Sequence, residues 1–268
     1  MNAVLYDVAL TAYIAATGLS FAFLLWRRDG LWRLSTLVTQ AGWVCHTVAI
    51  AVRGIELGRP PLSTLPEVVS GVIWAAVLLE LWAERQYQVK VLGAFVLPVV
   101  LMLGLALPTG LRELVLVPGV RSAWIWVHVT LALLGLGAFV LNFAGAVMYV
   151  LQERQLKAKR PGAVYYRLPP LETLDRLTFR ALTLGFPFLT AGLVLGALWA
   201  GATAGWQAAL DPLTVFSVAM WIVYAVTLSG RVLGAWRGRR AAYFAIVGFS
   251  ALLLSLGAGV VFNGRHGA

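Results

Sequence analysis

Long apolar stretches, broken by short basic or polar segments, run through all 268 residues. Eight of them are long enough to cross a bilayer, which takes roughly 20 apolar residues in a helix. They are approximately Leu5–Trp26, Leu34–Val52, Val68–Leu81 with its flanks, Val91–Leu107, Trp124–Leu151, Leu182–Gly201, Leu213–Gly230 and Ala241–Phe262. The third is the weakest, because Glu67 and Glu80 bracket it. Inside a bilayer every backbone polar group must be satisfied within its own segment, so the runs are read as helices. The pattern predicts an all-α fold, a polytopic bundle of about eight transmembrane helices in a single integral membrane domain over residues 1–268.

One interruption is longer than the rest. It runs from about Gln152 to Arg180 and contains "YYRLPPLETLDRLTFR", in which Leu171, Leu174, Leu177 and Phe179 are separated by charged residues. Such a stretch predicts a helix lying along the membrane surface, with a solvated linker as the alternative.

Composition agrees with the pattern. The chain is 60% hydrophobic and 12% charged, with a mean hydropathy of +0.84, more apolar than a soluble domain of this length can hide. The net charge of +10 changes the picture more. Alternate loops hold 16 of the 21 basic residues, among them Arg27, Arg28, Lys157, Lys159, Arg239 and Arg240. The positive-inside rule makes that side cytoplasmic, and an even number of spans then puts both termini outside. The basic charge is thereby matched to anionic lipid headgroups, not to nucleic acid, for which no basic-aromatic module is present. The first residues, "MNAVLYDVAL", carry Asp7 and no basic segment, so they read as leading into a true first span and not as a cleaved signal. A single cysteine, Cys45, excludes an internal disulfide and any Cys-x-x-Cys-His haem-attachment motif.

The three histidines are the candidate chemistry. His128 opens the fifth span at its outer edge, in "RSAWIWVHVTLALLGLGAFV". His266 follows the eighth span on the same side. His46 lies within the second span, over halfway from the cytoplasmic end. Imidazole is a good axial ligand for haem iron, and two histidines distant in sequence can meet across one porphyrin. The outer side also offers Trp124, Trp126, Trp199 and Trp206 as aromatic walls, with Arg59, Arg121 and Arg265 as cations for propionates. Each histidine has a plainer reading as well. His128 suits an interfacial position bonded to a carbonyl, His266 a solvated tail, and His46 a hydrogen bond to a neighbouring helix.

Gly192 and Gly196 form a G-x-x-x-G pair that favours close helix packing. Asp211-Pro212 reads as an N-cap followed by proline at the first helical position. Ionisable residues within spans are otherwise sparse, with Glu80 near the end of its run. That is too few for a proton-coupled transporter. Three histidines also cannot supply the two stacked ligand pairs of an electron-transferring cytochrome b.

Four stretches, in order, resemble the cytochrome c assembly membrane family, the CcsA/CcmC/HemX type of haem-handling protein. "CHTVAIAVRGIELGRPPLSTLPEVVSGVIW" is similar to the family's membrane histidine followed by a G-x-x-P-L-S-x-L-x-E outer loop. "SAWIWVHVTLALLGLGAF" is similar to its S-x-W-x-x-H-V helix start. "LDRLTFRALTLGFPFLTAGLVLGALWA" resembles the helix that leads to its tryptophan-rich loop, and "GAGVVFNGRHGA" its C-terminal outer histidine.

The resemblance implies haem, b-type and non-covalent, held at the outer face of a bacterial plasma (inner) membrane by His128 and His266. His46 matches a membrane histidine that receives haem from the cytoplasmic side. Trp199 and Asp211 match the start and end of the tryptophan-rich loop. That loop departs from the family's W-G-x-Y-W-x-W-D-P-K-E: here it reads "AGWQAALDPLT" and keeps Gly205, Asp211 and Pro212. The implied role is a haem carrier or chaperone, at most one subunit of a haem-attachment machinery, that presents haem to a cytochrome c maturation protein. A HemX-like regulator or scaffold acting on a haem-biosynthesis protein or a respiratory complex is the alternative.

Overall fold

The computed structural model describes residues 3–105, 123–158, 162, 165–203, 212–234 and 236–263. Among them are eight α-helices and no strand: α1 (Ala3–Trp26), α2 (Asp29–Leu57), α3 (Leu65–Tyr87), α4 (Gly93–Leu105), α5 (Ala123–Lys157), α6 (Leu171–Thr203), α7 (Pro212–Val232) and α8 (Arg239–Asn263). Each matches one predicted run. Six of the helices are long and apolar enough to cross a membrane, while α4 has 13 residues.

The helices pack as hairpins, α1 on α2 and α5 on α6, with α3 and α5 at the centre. Within their apolar windows α3 and α5 each bury 67% of the residues, against 33% or less for α1, α2, α6 and α7, whose remaining faces are left for lipid. Small residues let the two central helices meet. A methyl group at Gly137 would lie 2.9 Å from Ala75 Cβ, so the backbones are in near contact there. Such contact is the main source of helix association where lipid removes the hydrophobic drive. Larger side chains fill the rest of the core. The Phe139 and Tyr224 rings stack with centroids 3.8 Å apart, holding α7 on α5.

The end that carries most basic residues is tied by ion pairs between connectors. Lys90 reaches Asp29 at 2.8 Å, Arg231 reaches Asp175 at 2.9 Å, and Arg239 lies 3.8 Å from Glu153. The Asp175 carboxylate also accepts from the Gly238 N–H, closing the turn between α7 and α8.

The amphipathic stretch expected to lie along the membrane surface does not form a separate helix. It is the start of α6, which runs unbroken from Leu171 to Thr203. The reason is the length of α5. Its 35 residues span about 52 Å at 1.5 Å per residue, well beyond an apolar thickness of about 30 Å. The overhang offers α6 a protein surface: Leu174 and Leu177 are fully buried, and Asn142 Nδ2 donates to the Thr178 carbonyl at 2.7 Å.

The corner between α2 and α3 explains much of "GRPPLSTLPE". Gly58 ends α2 with φ +60°, a backbone region that side chains resist, and its N–H caps the Ile55 carbonyl. Thr64 then caps α3, and Glu67 at the third helical position reaches back to the Ser63 and Thr64 N–H groups at 2.8 and 3.2 Å. This is a capping box, and Glu67 additionally draws in Arg59 at 3.3 Å and Arg53 at 3.7 Å.

Candidate functional site

His128 lies in the second turn of α5, at the end of the bundle opposite the basic connectors. Its ring rests against α6 where that helix carries Gly192 and Gly196. A side chain at Gly196 would be impossible as the ring stands, since its Cβ would fall 2.7 Å from Cε1 and 2.9 Å from Nδ1. The G-x-x-x-G pair predicted for helix packing thus serves a further purpose: it makes room for an imidazole.

The ring is also oriented. His128 Nδ1 lies 2.6 Å from the Gly192 carbonyl oxygen. A carbonyl can only accept, so Nδ1 carries a proton, and in the neutral ring the lone pair is then on Nε2. Among the described residues nothing donates to Nε2. An imidazole whose Nδ1–H is held by a backbone carbonyl and whose Nε2 is unengaged is the arrangement metal-ligating histidines use. The structure therefore fits an iron ligand at this position.

His46 is built differently. It is fully buried, and both ring nitrogens are occupied: Nδ1 lies 3.3 Å from the Tyr13 hydroxyl on α1, and Nε2 lies 2.8 Å from the Ser70 hydroxyl on α3. Tyr6 and Tyr13 meet its ring edge-on, with centroids 5.4 and 6.0 Å away. Ligation by His46 requires one hydroxyl to turn away, a small movement for Ser70 and a larger one for the packed Tyr13. The hydrogen-bond partners of His46 and His128 lie on different helices, so the fold sets them in separate packages.

The other predicted residues divide by location. Trp199 sits one turn past Gly196 on α6, partly buried against the core, as is Trp126 on α5, while Trp124 is exposed. Arg59 is engaged with Glu67, with Ser63 Oγ at 2.9 Å and with the Pro60 carbonyl at 3.0 Å. Pro212 begins α7, as the Asp-Pro reading predicts. Arg121, Trp206, Asp211, Arg265 and His266 lie outside the described residues. The sequence reading missed Tyr13 and Ser70, which nothing local marks as partners of His46. It named Glu67 only as flanking the third run and as part of the outer loop, although Thr64-x-x-Glu67 is a legible capping signal.

Gly196→Ala tests the seat of His128. The added methyl collides with the ring and displaces Nδ1 from the Gly192 carbonyl. Loss of such a supporting bond weakens metal binding by about 10–100-fold. Titration of the purified variant with haem, followed by absorbance, is expected to show a loss in that range.

Comparison with known proteins identifies the family. The profile of a family described as "Cytochrome C assembly protein" matches residues 62–266, well over half of the chain. The chain is 29% identical over 241 residues to "Cytochrome c biogenesis protein CcsA" of Guillardia theta, covering 82% of this chain and 80% of that protein. It is 26% identical over 278 residues to the protein of the same name from Pyropia yezoensis, covering 88% and 87%. It is 28% identical over 291 residues to that of Synechococcus sp. (strain RCC307), covering 97% and 92%. With its eight helices, its seated histidine and this match over most of its length, the chain belongs to the cytochrome c assembly protein family.

Proposed function

We propose that this protein holds haem at the end of the bundle opposite its basic connectors and presents it for cytochrome c assembly. The observation that carries the reading is the His128 imidazole, oriented by the Gly192 carbonyl with Nε2 left to coordinate iron. His266, which the family match reaches, is the second ligand of the proposal, with Arg121 and Arg265 as propionate partners. Bis-histidine ligation leaves iron no open position, which suits a carrier more than a catalyst. The lone Cys45 supplies no thioether pair, so haem is held by coordination alone, as b-type haem.

His46 is assigned to haem in transit, reached once Ser70 or Tyr13 releases a ring nitrogen. By the positive-inside rule we assign the end with the basic connectors to the cytoplasmic side of a bacterial plasma membrane, with both termini outside. The partner is a cytochrome c maturation protein that brings reduced Cys-x-x-Cys-His thiols, since this chain has no thiol pair to provide them. The CcsA relatives favour this reading over a HemX-like scaffold.

The test is an absorption spectrum of detergent-purified protein from haem-replete cells, oxidised and dithionite-reduced. Sharp reduced α and β bands are expected in the wild type and their loss in the His128→Ala/His266→Ala double variant. A colourless wild type would overturn the haem assignment and leave a regulatory scaffold as the better reading.

A further inference from the structure

Two carboxyl groups lie against each other inside the bundle, one helical turn apart on α3. Glu80 is 1% exposed, and its Oε2 has no hydrogen-bond partner. Glu84 is 6% exposed, and its Oε1 accepts from Trp32 Nε1 at 2.5 Å and from Thr36 Oγ1 at 2.7 Å. Two ionised carboxylates in contact repel, and an unpaired charge within a span is costly. A counter-charge would relieve this, yet among the described residues neither group has an ion pair.

The neighbours on α1, α2, α3 and α4 are defined. On α2 and α3, Arg33 and Arg85 line the groove that Glu84 borders, together with Trp32, Gln40 and Gln88. Lys90 lies 4.5 Å over the Trp32 ring and is bonded to Asp29. On α1 the polar groups on this side are Ser20, Thr17 and the deeper Tyr13, and α4 carries no titratable residue. The cations therefore sit at the rim of the groove, and Glu80 lies one turn further in.

The hydroxyls of Ser20 and Ser35 are engaged with each other and with the α1 backbone. Ser35 Oγ donates its only proton to the Ala16 carbonyl at 3.0 Å. Ser20 Oγ, 2.7 Å from Ser35 Oγ, must then be the donor in that bond. Its remaining capacity is as an acceptor. Ser20 Oγ and Glu80 Oε1 both border the bare Cα of Gly93, 2.9 and 3.2 Å from where its Cβ would be. Glu80 Oε2 has no donor, whereas Glu84 Oε1 has two, so the ionised form is better supported on Glu84 and the proton on Glu80.

We propose that Glu80 and Glu84 form a proton-binding site, loaded from the basic end through the groove that Glu84 floors, with the proton held on Glu80. A metal ion is a poorer occupant, because Glu84 Oε1 is already committed to two donors and hard cations such as calcium take six or more oxygens. The site stands whether or not the protein binds haem, since it shares no residue with His128 or His46.

The experiment uses the wild-type full chain in detergent. A hydrophobic carbodiimide reacts with protonated carboxyls in apolar surroundings, and mass spectrometry of the α3 peptide locates the adduct. Labelling of Glu80 is expected near neutral pH, falling at least about tenfold as the pH is raised. Infrared spectra are expected to show a carboxylic-acid carbonyl band that shifts in heavy water. That band should vanish in Glu80→Gln and move but persist in Glu84→Gln. No adduct on α3 at acid and neutral pH, or protection by sodium or magnesium instead of by raised pH, overturns the proposal.

Discussion

Replacing His128 with alanine is expected to weaken haem retention by more than about 100-fold, beyond the 10–100-fold that follows from losing only a ligand's supporting hydrogen bond. The argument is local. The α5 backbone, the glycine seat on α6 and the Gly192 carbonyl hold one imidazole in one tautomer at one place. Alanine leaves those supports intact and removes the nitrogen they position. The cavity that remains is lined by Gly192 and Gly196, so added imidazole can enter it, and millimolar imidazole is expected to restore part of the reduced α band. A His46→Ala variant provides the contrast: it should load less haem while leaving the spectrum of the bound fraction unchanged. Haem content per protein, measured by pyridine haemochrome assay, distinguishes these outcomes. An unaltered content in His128→Ala would remove His128 from the ligand set.

Glu67→Ala is expected to be the most damaging substitution for stability, at about 2–3 kcal/mol. The loss combines a helix cap, worth about 0.5–2 kcal/mol, with Arg59 left without its anion and Arg53 left with Glu56 alone. Arg53 and Arg59 have side chains 31% and 32% exposed, so solvent screens part of that penalty. Two N–H groups at the start of α3 also lose their acceptor. Since α3 is one of the two central helices, the damage spreads to the bundle. Glu67→Gln separates the contributions, because glutamine can still close the capping box but carries no charge. Its unfolding midpoint in detergent should fall between those of the wild type and Glu67→Ala. Equal midpoints for the two variants would assign the whole effect to charge.

Much of the fold was legible because a bilayer imposes a strong and simple rule. Apolar runs of sufficient length become helices, and all eight runs did. The basic residues clustered at one end, and there they hold connectors together, as with Arg231 on Asp175. What failed was the reading of Leu171–Arg180. An amphipathic stretch has the same pattern whether its apolar face meets lipid or another helix, and here α5 extends far enough to receive it.

The site was legible in its residue types and less so in its arrangement. His128 stood out as a histidine at a span edge, and Gly192 with Gly196 as a small-residue pair. Nothing in the sequence joined them, because they are 64 and 68 residues apart and meet only through the α5–α6 hairpin. His46 was visible as an intramembrane histidine, while its partners Tyr13 and Ser70 came from α1 and α3. Glu80 looked peripheral when the third span was drawn to end near Leu81, and Glu84 lay beyond that end. With α3 continuing to Tyr87, both carboxyls fall inside the packed bundle.

The sequence by itself determined the number of helices, their expected orientation and the kinds of side chain available, since these depend on local hydropathy and loop charge. Only the tertiary structure decided which nitrogen of His128 donates to a carbonyl, which histidine is already satisfied and which buried carboxyls lack a counter-ion. Those properties depend on atoms within about 3 Å of one another that belong to different helices, and hydrogen bonding and desolvation at that range follow packing, not order along the chain.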